Sequence, residues 1–353
     1  MEKQRTQVTC EVFGTLAGGG QVDVYTLKSA AVELRLITYG ARVVGLKTAD
    51  RAGAWDDVAL GYDALKPYVE ARNAYLGTMV GRFANRIAQG RFELEGRTVQ
   101  TTINNGPNML HGGKEGFDQR NWEAAIVPDG VEFTLLSPDG DQGFPGALRA
   151  RVRYTLQDNV VRMTSSARSD QTTVVNLTNH TYFNLDGEAS GTILGQDLTL
   201  EAEAYTPVAS AEAIPTGEIA TVEGTPFDFR SPTRIGARIE EPNEQLVFGR
   251  GYDHNWVVRG RAGELRPAAK LYAPASGRVL RVETTEPGIQ FYSGNFLDGT
   301  LIGRSGVNYA KRSGLCLETQ RFPDTPNHPN FPSAVLKPGE EYSSVTTWTF
   351  LVE

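Results

Sequence analysis

Between residues 148 and 157 the chain alternates strictly, Leu148, Ala150, Val152, Tyr154 and Leu156 being interleaved with Arg149, Arg151, Arg153, Thr155 and Gln157. A period of two sends successive side chains to opposite faces of an extended segment, so the pattern predicts one half-buried strand. Asp158 and Asn159 supply turn chemistry, and residues 160–164 open a second strand, which makes the unit a hairpin. Similar runs predict strands at 32–37, 131–136, 174–185, 279–282 and 345–352, whereas helical periodicity is confined to a short candidate at 63–71. The 38 glycines and 18 prolines are scattered as turn punctuation. Many short antiparallel strands so punctuated predict an all-β fold, a sandwich or barrel with few short helices. No composition shift, low-complexity segment or short repeat divides residues 1–353, so a single domain is expected.

Composition changes this picture by exclusion. With 40% hydrophobic and 22% charged residues the chain reads as soluble and globular. A net charge of -7 opposes binding to nucleic acid or to an anionic membrane, since either needs a basic field. No apolar stretch approaches the ~18 residues of a spanning helix, and the first residues, Met1 to Val8, carry no apolar signal core. A cytoplasmic location is the default expectation, because a signal removed from a longer precursor would leave no trace. Cys10 and Cys316 lie too far apart in sequence to read as a metal pair or a disulfide framework.

Candidate chemistry starts with the four histidines, His111, His180, His254 and His328. Strand alternation over 174–185 aligns Asn176, Thr178, His180, Tyr182 and Asn184 on one face, against mostly apolar residues on the other. A polar but uncharged row suits a sugar-binding floor; the plain alternative is a solvated face with a bystander histidine. Glu318 is flanked by apolar residues and precedes a proline-rich stretch at 319–337, a setting that raises a carboxyl's proton affinity and makes it a candidate base. A carboxylate that merely caps loop backbone groups fits that position equally well. In the run 252–256, Asp253 and Asn255 face one way and His254 the other, which makes His254 a packing residue and Asp253 a second candidate acid. His111 precedes Gly112 and Gly113, which would let another molecule approach the backbone, and Asn85 with Arg86 offers an amide and a guanidinium for hydroxyl groups. There is no HxH or HExxH pair, no Walker or GxGxxG phosphate loop and no GxSxG elbow, so neither a metal nor an organic cofactor is expected.

Six segments in order resemble the aldose 1-epimerase (galactose mutarotase) family: residues 81–87 (GRFANRI), 110–113 (LHGG), 179–185 (NHTYFNL), 252–255 (YDHN), 287–295 (PGIQFYSGN) and 317–324 (LETQRFPD). The resemblance spans nearly the whole chain and implies a large antiparallel β-sandwich with a sugar in an open cleft. It also implies that Glu318 is the general base, His180 the general acid, and His111, Asp253, Asn85, Arg86 and Gln290 the groups that hold a monosaccharide. The reaction implied is interconversion of the α and β anomers of a free hexose such as galactose or glucose, with no metal and no organic cofactor. The residues alone leave open a glycoside hydrolase using Asp253 with Glu318, a non-catalytic sugar-binding module, and a sugar-phosphate enzyme, for which Arg86 alone would be a poor clamp.

Overall fold

A computed structural model describes residues 6–71 and 74–353. Its strands fall into three principal antiparallel sheets. The first runs in chain order through Gln7–Thr15, Gln21–Lys28, Val32–Ile37, Arg42–Ala49 and Trp55–Asp57. The second has nine strands, ordered Glu123–Val127, Gly130–Ser137, Leu148–Gln157, Val160–Ser169, Tyr342–Val352, Arg278–Thr284, Arg266–Tyr272, Asp197–Leu200 and Thr233–Arg234. The third has six, ordered Tyr182–Phe183, Leu315–Gln320, Gly288–Tyr292, Asp253–Val258, Ala202–Thr206 and Ala220–Thr221. Leu65–Glu70 and Glu244–Gly249 are the two α-helices among the described residues.

The predicted hairpin is present in the predicted register, with Gln157 opposite Val160 and Leu148 opposite Ser169. Val152, Tyr154, Leu280 and Trp348 on the inner face of the nine-stranded sheet share one buried cluster with Trp256, Phe291 and Leu317 of the six-stranded sheet. Two sheets burying their apolar faces against each other make the β-sandwich that the resemblance predicts, one of the two all-β forms that the strand pattern allows.

The run 174–185 departs from expectation, because it is not one strand. It breaks into Thr173–Val174, Thr178–Asn179 and Tyr182–Phe183, which pair respectively with Val335–Leu336, Met79–Val80 and Leu315–Gln320. Side-chain amides occupy the backbone groups left over at the breaks. Asn176 Nδ2 donates to the carbonyls of Ala84 and Arg321, and its Oδ1 accepts the Arg321 N–H; Asn179 donates to Gly77, and Asn184 to Gly191 and Ser313. The uncharged polar row is therefore mostly buried scaffolding, and of its members only His180 and Tyr182 reach the cavity described next.

The proline-rich stretch also differs. The strand continues through Gln320, and the chain then turns through the 3-10 segment Thr325–Asn327. Phe322 and Phe331 are buried against each other with ring centroids 5.2 Å apart, so these aromatics pack the loop down and do not line the cavity.

Candidate active site

Three neighbouring strands of the six-stranded sheet set the site's floor. Register places Asn255 opposite Gln290 and Gln290 opposite Glu318; one step along, Asp253 lies opposite Tyr292, Tyr292 opposite Cys316, and Cys316 opposite Tyr182. Directly opposed residues share a face, so these side chains stand on the sheet surface turned away from the core. His254 alternates to the other side, where it is fully buried among Tyr205, Phe227 and Trp256 and its Nδ1 accepts the Asp253 N–H at 3.2 Å. That is the packing role expected of it.

Two further segments complete the wall. His180 is held by its backbone, its N–H donating to Thr78 O at 2.9 Å and its carbonyl accepting from Gly77 at 3.0 Å. His111 has φ +51° and follows Met109–Leu110, which pairs with Arg86–Ile87. Its N–H donates to Asn85 O at 2.9 Å, and its ring Nδ1 accepts the Asn85 N–H at 3.2 Å. The glycine that follows it is required by the chain's own packing: Gly112 has φ +87°, and a Cβ there would collide with the Gly81 carbonyl.

A cavity of about 470 Å³ is lined by Asn85, Arg86, His111, His180, Asp253 and Glu318, six of the seven predicted site residues. Gln290, the seventh, does not line the cavity; from the same sheet face its Nε2 donates to Asp253 Oδ1 at 2.8 Å. Glu318 Oε1 lies 3.6 Å from His180 Nε2, close enough to share charge but too far for a hydrogen bond, and Glu318 Oε2 has no partner. Both side chains are at most 6% exposed.

Burial sets the electrostatics here. It drives the Glu318 carboxyl well above its ordinary range, reinforced by the negative charge of Asp253 and opposed by Arg86. It raises Asp253 as well, against Arg86 and the Gln290 hydrogen bond. It lowers His180 to about 4 and pushes His111 well below the usual imidazole range, with His180 and Arg86 adding to the latter. Two groups that each resist their charged form, 3.6 Å apart, share one proton whose resting place is the Glu318 carboxyl.

One ligand atom from each of His111, His180 and Glu318 lies within 4.8 Å of the others, a donor set that suits a borderline divalent ion. The Asn85 N–H argues against that use. It occupies the His111 Nδ1 lone pair, so the neutral ring carries its proton on Nε2 and offers a donor where a metal requires an acceptor.

The aldose 1-epimerase family model matches residues 23–349. The chain is 47% identical over 346 residues to galactose mutarotase from Bos taurus, covering 98% of this chain and 99% of that protein. It is 40% identical over 344 residues to aldose 1-epimerase from Escherichia coli, covering 96% and 98%. The chain belongs to the aldose 1-epimerase family. Among solved structures, galactose 1-epimerase from Lactobacillus acidophilus superimposes with a TM-score of 0.85 at 28% identity, over 98% of this chain and 99% of that one. An aldose epimerase homologue from C. elegans does so with a TM-score of 0.83 at 31% identity, over 91% and 96%.

In this aldose 1-epimerase family member three contributors escaped sequence reasoning. Tyr75, at φ +51°, lays its ring against His111 with centroids 4.6 Å apart, and nothing in its local pattern signals this. Cys316 places Sγ 3.4 Å from His180 Nδ1. Asp324 brackets Arg86, donating its N–H to Arg86 O at 2.8 Å while its Oδ1 accepts the Ala88 N–H at 2.9 Å. Cys316 and Asp324 sit two residues before and six after Glu318, so alternation and the outgoing loop were the available signals.

Proposed function

We propose that the protein interconverts the α and β anomers of a free hexose such as galactose or glucose, with Glu318 as general base and His180 as general acid. The observation that carries the reading is the pair itself: two buried, oppositely tuned proton carriers 3.6 Å apart at the floor of a polar cavity.

Opening a pyranose hemiacetal requires loss of the proton on O1 and gain of one on O5. Burial favours the shared proton on Glu318; when it shifts across the pair, Glu318 as carboxylate takes the first and His180 as imidazolium gives the second from Nε2. The pair then stands as carboxylic acid and neutral imidazole, which is the arrangement that recloses the ring: Glu318 returns a proton to O1 as His180 withdraws one from O5. Rotation about the C1–C2 bond between the two steps presents the other carbonyl face, and closure gives the other anomer. The total proton count of the pair never changes, so the cycle needs no exchange with solvent. Such catalysis typically contributes ~10²–10⁴-fold per group.

His111 Nε2–H supplies a second donor for charge developing on O5. Asn85, Arg86 and Asp253 bind hydroxyl groups, and Gln290 fixes Asp253. Among the described lining residues Arg86 stands with four carboxylates, Glu70, Asp253, Asp298 and Glu318, which favours a neutral sugar over a sugar phosphate. Residues 1–353 act as one domain, a reading supported by a core that runs unbroken from Tyr25 to Phe350. A cytoplasmic setting agrees with two unpaired thiols and with the lack of any described helix long and apolar enough to cross a membrane.

The test follows optical rotation of freshly dissolved α-D-galactose and α-D-glucose at low buffer concentration. Acceleration by the folded wild type supports the reading; no acceleration with either sugar overturns it.

A further inference from the structure

We propose that Cys316 is a positioning residue for His180, its thiol sulfur accepting a hydrogen bond from Nδ1–H and so reserving Nε2 for the proton that is exchanged. The inference rests on His180 being the general acid, and it adds a group to that site for which the reaction itself gives no reason.

Geometry comes first. Cys316 lies on Leu315–Gln320 directly opposite Tyr182, and this register turns its side chain under the His180 ring. Sγ to Nδ1 is 3.4 Å, within hydrogen-bond reach for sulfur, and Cys316 is fully buried. The other groups facing the ring make different contacts. Glu318 stands at Nε2, while Tyr75, His111, Tyr182 and Tyr292 present rings with centroids 5.1 to 6.3 Å away. Among the described side chains Cys316 is the one that reaches Nδ1, and the ring's own backbone carbonyl is the other acceptor beside it, so sulfur and carbonyl act in the same sense.

The chemistry then restricts which tautomer works. When imidazolium gives its Nε2 proton to O5, the neutral ring keeps Nδ1–H, and the freed Nε2 lone pair is what later receives the O5 proton. A ring that drifted to the Nε2–H tautomer could not take it back. An acceptor at Nδ1 prevents that drift. A carboxylate there would do so more strongly, but it would also stabilise imidazolium and hold the proton that has to be given away. A neutral sulfur is a weak acceptor. It selects the tautomer while leaving the ring's proton affinity low, and burial together with the charges of Glu318 and Asp253 keeps the thiol from ionising.

The experiment uses the full chain labelled with ¹⁵N-histidine, comparing wild type with Cys316→Ala and Cys316→Ser. Long-range ¹H–¹⁵N spectra identify the protonated ring nitrogen of His180, assigned by loss of its signals in His180→Asn, and polarimetry gives kcat and KM. The expected result is Nδ1–H in wild type and Cys316→Ser. In Cys316→Ala a mixture of tautomers should appear, with kcat lowered about tenfold and KM nearly unchanged, the usual scale for removing a group that orients a functional histidine. Cys316→Ala with an unchanged spectrum overturns the proposal, whether kcat is retained or falls equally in both variants through packing. Wild-type rates in His180→Asn would overturn instead the assignment of the acid, independently of the Cys316 spectra.

Discussion

Glu318→Gln separates chemistry from folding more cleanly than any other change in this molecule. The amide matches the carboxylate in shape, stays on Leu315–Gln320 and cannot accept the O1 proton. Removing a general base costs on the order of 10²–10⁴-fold in rate, or ~3–5 kcal/mol of transition-state stabilisation. Stability should move the other way. Glu318 is 2% exposed, Oε2 has no partner, and burial with the Asp253 charge holds its proton affinity well above the ordinary range. Between the unfolded carboxyl's value and its own, the folded state binds more protons than the unfolded one, so wild-type stability falls as pH rises through that window. At neutral pH each tenfold of raised affinity costs the wild type ~1.4 kcal/mol. The glutamine variant escapes that cost, so its advantage should be near zero at pH 4.5 and grow toward pH 7. Polarimetry at low buffer gives the rate, and urea unfolding at the two pH values gives the stability difference. A folded variant keeping more than a tenth of wild-type kcat would refute Glu318 as the base. A variant less stable than wild type at pH 7 would refute the account of a buried carboxyl that resists its charge.

Two other predictions use groups outside the acid–base pair. Asp324→Ala removes the acceptor for Ala88 N–H and loosens Arg86, so KM should rise about tenfold with a smaller change in kcat; Asp324→Asn, which keeps an oxygen and tolerates the φ of +55°, should restore most of it, and equal KM values in the alanine variant and wild type would sink the idea. Burial lowers His254 to about 3, so below the unfolded histidine value of ~6.5 the unfolded state takes up a proton that the folded state refuses, and stability falls with pH. His254→Asn, which retains an acceptor for the Asp253 N–H, should lose about 2 kcal/mol less than wild type between pH 7 and pH 5, and parallel losses in denaturant titrations would contradict this.

The hairpin at 148–169 was legible because one face of it is buried and the other carries arginines, so a period of two is written directly into the residues. Asp253 and His254 were separable for the same reason. The run 174–185 defeated the same rule, since it is buried on every side and its asparagines answer backbone groups up to 145 positions away, a demand that alternation cannot distinguish from ligand binding. His111 and His180 each follow local motifs, but their meeting at 5.2 Å is a product of topology. Tyr75 and Asp324 act through positive-φ turns and long-range backbone contacts, neither of which a short window records.

The strand Tyr342–Val352 lies in the middle of the nine-stranded sheet, between Val160–Ser169 and Arg278–Thr284, although it follows both in sequence. Synthesis from the amino end therefore delivers two half-sheets, one built on 123–169 and one on 197–284, before the piece that joins them exists. Each half presents an open edge ready to pair with whatever strand it meets. Until this strand has emerged, the growing chain carries two open margins that a strand of a neighbouring nascent chain could also bridge. Pairing between chains therefore competes with closure within one for as long as Tyr342–Val352 is missing.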